Sequence, residues 1–163
     1  MIKIIYGNLL QSQEAFLIHQ CNAQGVMGSG VAKQIATFYP DVEAKYKQFI
    51  RENYPYGREF VMGKCINIPV DNPYTKSRQV IVNLIGQEYY GRDNKVYTEY
   101  RYLFEGILKT LNEADHYGVN VALPYKIGCC RGGGDWDNVV FPFLQTISEN
   151  FSGDICIYKK III

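Results

Sequence analysis

Phe16-Leu17-Ile18-His19-Gln20-Cys21-Asn22-Ala23-Gln24-Gly25-Val26-Met27-Gly28-Ser29-Gly30-Val31-Ala32-Lys33 is the stretch on which the fold turns. An apolar run stops at His19, passes Asn22, and enters a loop with glycines at Gly25, Gly28 and Gly30 before a helical pattern begins. Glycine admits positive φ and a close approach of backbone to ligand. The first N–H groups of a helix lack intrahelical partners, and with the helix dipole behind them they favour a phosphate or diphosphate. A tight strand-to-helix turn with no ligand has the same pattern, so one such loop leaves both readings open.

A second loop of the same kind decides between them. Val119 to Leu123 reads as a buried strand and leads into Pro124-Tyr125-Lys126-Ile127-Gly128-Cys129-Cys130-Arg131-Gly132-Gly133-Gly134-Asp135-Trp136. A helix is expected from about Asp135, with Pro142 near its first turn or at a kink. Two such loops can grip a diphosphate from both sides through backbone N–H groups, and a nucleotide-like ligand is the natural occupant. The P-loop is excluded because Val31-Ala32 follow Gly30 where Lys-Ser/Thr would stand. The spacing Gly25-x-x-Gly28-x-Gly30 is likewise not the dinucleotide-binding Gly-x-Gly-x-x-Gly.

Working outward, strands are expected at Ile2 to Tyr6, Ala15 to Cys21, Phe60 to Ile68, Gln79 to Ile85, Val119 to Leu123 and Asp154 to Ile163. Helices are expected at Ser29 to Phe38, capped by Ser29, at Val42 to Glu52, capped by Asp41, and at Thr98 to Ala114. Pro69 to Arg78 reads as a polar hairpin or loop. Gly86 to Lys95 has no apolar periodicity and follows a buried strand, which is where α/β sheets bind ligands. The alternation of strands and helices predicts a three-layer α/β/α sandwich with both glycine loops on one edge.

The 163 residues are 47% apolar and 20% charged with a net charge of +1, the profile of one globular domain spanning residues 1–163. Nothing in that balance suggests nucleic-acid binding. Apolar runs are strand-sized, and Met1 to Ile5 has no signal-peptide pattern, so a cytosolic protein without membrane association is expected. The five cysteines lack any Cys-x-x-Cys spacing, which predicts reduced and mostly buried thiols and neither a disulfide framework nor a metal knuckle. Cys129 and Cys130 sit in the second glycine loop, but no histidine adjoins them to form a catalytic thiolate. His116, near a helix end, reads as a surface or capping residue.

Gly7-Asn8-Leu9-Leu10 after the first strand, His19-Gln20-Cys21-Asn22 leading into Gly25 to Ile35, and Pro124 to Trp136 together resemble the macro domain family over essentially the whole chain. The likeness is strongest to the branch of yeast-type ADP-ribose-1″-phosphate phosphatases, near the terminal ADP-ribose protein hydrolases and small phage or bacterial members. It implies a mixed central sheet of about six strands and a monomer that binds ADP-ribose or ADP-ribose 1″-phosphate, with no metal or other cofactor. By the same resemblance Asn8 and Leu9 lie at the adenine. Asn22, Gly25, Val26, Met27, Gly28, Ser29, Gly30 and Val31 hold the distal ribose and part of the diphosphate. Ile127, Gly128, Cys129, Cys130, Arg131, Gly132, Gly133, Gly134, Asp135 and Trp136 close over the diphosphate, and Tyr158 either stacks on adenine or belongs to the core.

The departures from the family narrow the chemistry. Gly86-Gln87-Glu88 and Gly132 stand where glycohydrolase relatives place a lysine and an aspartate, and Val31-Ala32 replace the first-loop aspartate of another class. What the phosphatase-like branch retains is a histidine, His19, and an aspartate, Asp93. His19 has a side chain that titrates near neutrality and so suits acid, base or nucleophilic work, and a buried hydrogen-bonded core histidine is the alternative reading. Asp93 orients it or activates water, or is a solvated carboxylate paired with Arg92. Asp135 reads as an N-cap before it reads as a catalyst, and Lys126 and Arg131 contact phosphate or are exposed loop cations. Dephosphorylation of ADP-ribose 1″-phosphate, binding of ADP-ribose without turnover, and removal of ADP-ribose from protein or nucleic acid are the functions this leaves, in that order.

Overall fold

The computed structural model describes residues 1–161, so the end of the last expected strand lies outside the described residues. Six strands, β1 (Ile2–Tyr6), β2 (Phe16–Asn22), β3 (Cys65–Asp71), β4 (Arg78–Gln87), β5 (Val121–Pro124) and β6 (Ile155–Lys159), form one sheet in the order β1-β6-β5-β2-β4-β3. Every neighbouring pair is parallel except β3 with β4, which is antiparallel. Four helices, α1 (Gly30–Phe38), α2 (Pro40–Asn53), α3 (Tyr100–Tyr117) and α4 (Phe141–Ser148), cover the two faces.

Strand alternation sorts the core into two halves. Leu17, Cys21, Ile81 and Ile85 face α1 and α2 and pack with Ile35, Val42, Tyr46 and Ile50. Phe16, Ile18, Val82 and Leu84 face α3 and α4 and pack with Leu103, Ile107, Val140 and Leu144. The architecture is a three-layer α/β/α sandwich. Because β2 and β5 are parallel neighbours, the loops that follow them open side by side on the carboxyl edge.

Several boundaries differ from the sequence reading. Phe60 ends a short 3-10 helix (Arg58–Phe60) and a turn follows at 61–63, instead of the start of a strand: Gly63 turns at φ +74°, and Val61 and Met62 enter the core from there. Pro69, expected in a loop, lies in β3 opposite Val80. The edge position of β3 makes its missing N–H harmless. Asn72 and Ser77 close the hairpin through an Asn72 N–H bond to Ser77 O at 2.9 Å. Pro40 opens α2 in its first turn with Tyr39 at the cap, so Asp41 sits inside the helix, where its charge suits the dipole. Ser29 occupies the α1 cap position, but its side chain makes no capping bond. Before α4, Trp136–Val140 form a π-helical turn, and Pro142 falls in the first turn of α4. No helix among the described residues is long and apolar enough to cross a membrane.

Candidate functional site

A cleft of about 330 Å³ opens at the carboxyl edge between the two glycine loops. The first loop contributes Asn22, Val26, Gly28, Ser29, Gly30 and Val31, and the second contributes Ile127, Gly128, Cys130, Arg131 and Gly132. His19 and Gln20 floor it at the end of β2. The third wall comes from Gln87, at the end of β4, and Tyr90 to Arg92, in the segment after it.

The first loop is built by Asn22. Its Oδ1 accepts from Gln24 N at 3.0 Å and Val26 N at 3.3 Å, and its Nδ2 donates to Val26 O at 2.8 Å. Tyr46 of α2 donates to the Asn22 carbonyl from below. The Asn22 side chain is thus spent on loop shape. Gly30 turns at φ +59° with open space where a Cβ would stand, and the N-terminal turn of α1 faces the cleft.

The second loop is folded from beneath. A Cβ at Gly132 would overlap the Thr98 hydroxyl, and one at Gly134 would lie 2.8 Å from Gly128 O. These glycines answer to packing under the loop, where the sequence reading assigned them to access for the ligand. Cys129, Gly133 and Gly134 spend their N–H groups on the carbonyls of Lys126, Cys130 and Gly128. Those of Cys130, Arg131 and Gly132 have no backbone partner among the described residues, and all three residues line the cleft.

His19 is 1% exposed, and its Nε2 lies 2.6 Å from Asn83 Oδ1 on the adjoining strand. Asn83 Nδ2 donates to Ile66 O at 2.9 Å, which fixes Oδ1 as the acceptor and therefore His19 Nε2 as the protonated nitrogen. Nδ1 is left as the acceptor nitrogen, with Cys21 Sγ 3.9 Å away. Burial lowers the His19 pKa to about 4, so the ring is neutral near pH 7 and suits a base or nucleophile, not a general acid. Cys21 lies 3.6 Å from Nε2, and burial raises its pKa and keeps it a thiol.

Asp93 does not line the cleft. It is exposed, accepts from the Tyr97 hydroxyl at 2.6 Å and lies 3.8 Å from Lys95 Nζ. The Tyr97 hydrogen bond and the Lys95 charge hold its carboxyl below the usual value. Asp135 caps the π-helical turn, its Oδ1 accepting from Asn138 N at 3.0 Å. Trp136 is buried between Tyr125 and Phe141, and burial pushes the Cys129 thiol up to about 12.

Gly25, Met27, Gly133 and Gly134 shape their loops without lining the cleft, Met27 being buried in the α1–α2 core. Asn8 and Leu9 stand outside it at the end of β1, where Asn8 Oδ1 accepts from Leu10 N at 3.0 Å. Tyr158, half-buried near the end of β6, donates to Glu14 Oε2 at 2.8 Å. Gln20, Gln87, Tyr90 and Arg92 are cleft residues that the sequence reading did not single out. The only signal for the last three was the aperiodic segment after β4.

Arg92, Lys126 and Arg131 ring the cleft, and none of them forms an ion pair among the described residues. The ring is cationic.

No family model matches the chain. It is 28% identical to an ADP-ribose 1″-phosphate phosphatase of Saccharomyces cerevisiae over 94% of both chains. A DNA ADP-ribosyl glycohydrolase of Mycobacterium tuberculosis is 24% identical over 97% of this chain, which spans 42% of that protein. The solved macrodomain of Mycobacterium tuberculosis DarG superimposes with a TM-score of 0.75 at 24% identity, over 97% of each chain. The protein has the macro domain fold and resembles that family over nearly its whole length.

Proposed function

We propose that the cleft binds ADP-ribose and hydrolyses the phosphate monoester of ADP-ribose 1″-phosphate. The observation that carries this reading is the ring of Arg92, Lys126 and Arg131, three cations without carboxylate partners around a cleft whose second loop presents the unspent N–H groups of Cys130, Arg131 and Gly132. A diphosphate accounts for the N–H groups. Lys126 and Arg131, on the same loop, suit the diphosphate as well, and a further monoester, which adds about −1.5 to −2 charge near pH 7, accounts for Arg92 on the opposite wall. The yeast phosphatase matches over almost the full length of both chains, which supports the same reading.

The chemistry is attack of water on phosphorus with cleavage of the P–O bond, leaving ADP-ribose with a free 1″ hydroxyl and inorganic phosphate. His19 Nδ1 takes the proton of the attacking water, Asn83 holds the ring in that tautomer, and the cations neutralise the phosphoryl oxygens. Asp93, held by Tyr97 and Lys95 outside the cleft, has no part in this step.

A second reading, capture of ADP-ribose without turnover, is favoured by the near-complete burial of His19. Phosphate release from ADP-ribose 1″-phosphate, with ADP-ribose binding followed by calorimetry, separates the two. His19→Gln places an amide donor where Nε2 stands and removes the Nδ1 lone pair. Turnover is expected to fall about 10²–10⁴-fold with affinity retained. Tight binding by the wild type without any phosphate release rules out the phosphatase and leaves a binding module.

A further inference from the structure

Thr98 is 5% exposed and precedes α3 at the single bridge that pairs it with Gln87. Its Oγ1 donates to Gly128 O at 2.6 Å, and since a hydroxyl has one proton, it accepts from Gln20 Nε2 at 2.9 Å. The second proton of that amide goes to Gln87 Oε1 at 2.7 Å, and Gln87 Nε2 donates to Tyr89 O at 2.8 Å. Tyr97 N and Thr98 N both donate to Gly132 O, at 2.8 and 2.9 Å. One polar seam therefore runs beneath the cleft from the wall after β4 to two carbonyls of the second loop.

We propose that Thr98 is a positioning residue for ligand binding: it anchors the Gly128 and Gly132 carbonyls so that the N–H groups of Cys130, Arg131 and Gly132 face the ligand's diphosphate. This rests on the proposed ADP-ribose site only for the identity of the ligand. The seam also links the loop to the Tyr89 carbonyl, the residue before the Tyr90 to Arg92 wall. The pressed contacts of Gly132 and Gly134 follow from the same arrangement, since a Cβ there would displace the Thr98 hydroxyl or the Gly128 carbonyl.

The test compares Thr98→Val, which keeps the shape and removes the hydroxyl, with Thr98→Ser, which keeps the hydroxyl. ADP-ribose affinity is measured by calorimetry, exchange of the 128–134 amides by mass spectrometry without ligand, and folding by urea titration. Thr98→Val is expected to weaken ADP-ribose binding about tenfold and to speed loop exchange, and Thr98→Ser to restore both to within about threefold of wild type. Failure of the wild type to bind ADP-ribose would sink the proposed ligand, while the exchange arm would still decide the role of Thr98. Wild-type exchange in Thr98→Val overturns the proposal, as does equal impairment of the Ser and Val variants. Should Thr98→Val not fold, Gln20→Met removes the amide that orients the hydroxyl. A loss of about threefold in affinity with faster loop exchange then supports the anchor, and unchanged exchange overturns it.

Discussion

At the scale of single residues, the informative groups are those whose hydrogen bonds leave one choice of state. His19 is one, because Asn83 can only accept from it, and the resulting neutral ring has consequences both for catalysis and for stability. Its pKa falls from 6.5 in an open chain to about 4 in the fold, so between those values the unfolded state binds more protons. Stability is expected to decline as pH drops through that window, by about 3 kcal/mol at its lower end, and to be unaffected by this group above it. Urea midpoints between pH 7 and 4.5 should fall less steeply in His19→Gln than in wild type, and parallel slopes would show that His19 is not the group responsible. For activity, a base with its pKa near 4 gives no inflection near pH 6.5. A phosphate-release profile that rises through pH 6 to 7 would place the titrating group elsewhere.

At the scale of elements, the close packing of α3 on β4 depends on Gly106, where a Cβ would overlap Leu84, itself fully buried. Gly106→Ala is expected to cost about 1–3 kcal/mol, outweighing the gain of about 1 kcal/mol in helix propensity, and a raised urea midpoint would contradict this. The elements themselves were largely legible in the sequence. Strands buried on both faces declare themselves as apolar runs, as Phe16 to Ile18 and Val80 to Ile85 do, and the two loops follow them at once. What stayed hidden was set by tertiary contacts. Val61 and Met62 look like strand residues but are carried into the core by a turn at Gly63. Thr98 looks like the start of a helix, yet its hydroxyl serves the loop at Gly128. Gly132 looks like a ligand-facing glycine, although the Thr98 hydroxyl alone excludes a side chain there. Gln20 and Gln87 carry no motif, because their meaning arises only once β2 and β4 are neighbours.

At the scale of the whole molecule, strand order lays the candidate binding elements out in a line. Along the carboxyl edge come the end of β1 with Asn8, β6 with Tyr158, the second loop after β5, the first loop after β2, and the Tyr90 to Arg92 wall after β4. If adenine lies at the Asn8 end, as the resemblance implies, a ligand gripped at its diphosphate by the two loops must turn its far ribose toward β4. Arg92 then stands at the 1″ position, and Lys126 and Arg131 stand nearer the diphosphate. Removing Arg92 should therefore change selectivity more than affinity for the core ligand. Arg92→Gln is expected to weaken binding of ADP-ribose 1″-phosphate about tenfold or more while altering ADP-ribose binding less than about threefold. Lys126→Gln and Arg131→Gln should weaken both ligands together. Because exposed charge pairs are screened, the advantage of the phosphorylated ligand should also shrink between low salt and about 0.5 M salt in the wild type and be nearly salt-independent in Arg92→Gln. Titration calorimetry of both ligands against the three variants checks the whole arrangement. Equal losses for both ligands in Arg92→Gln would place the monoester elsewhere and reverse the direction in which the ligand lies along the sheet edge.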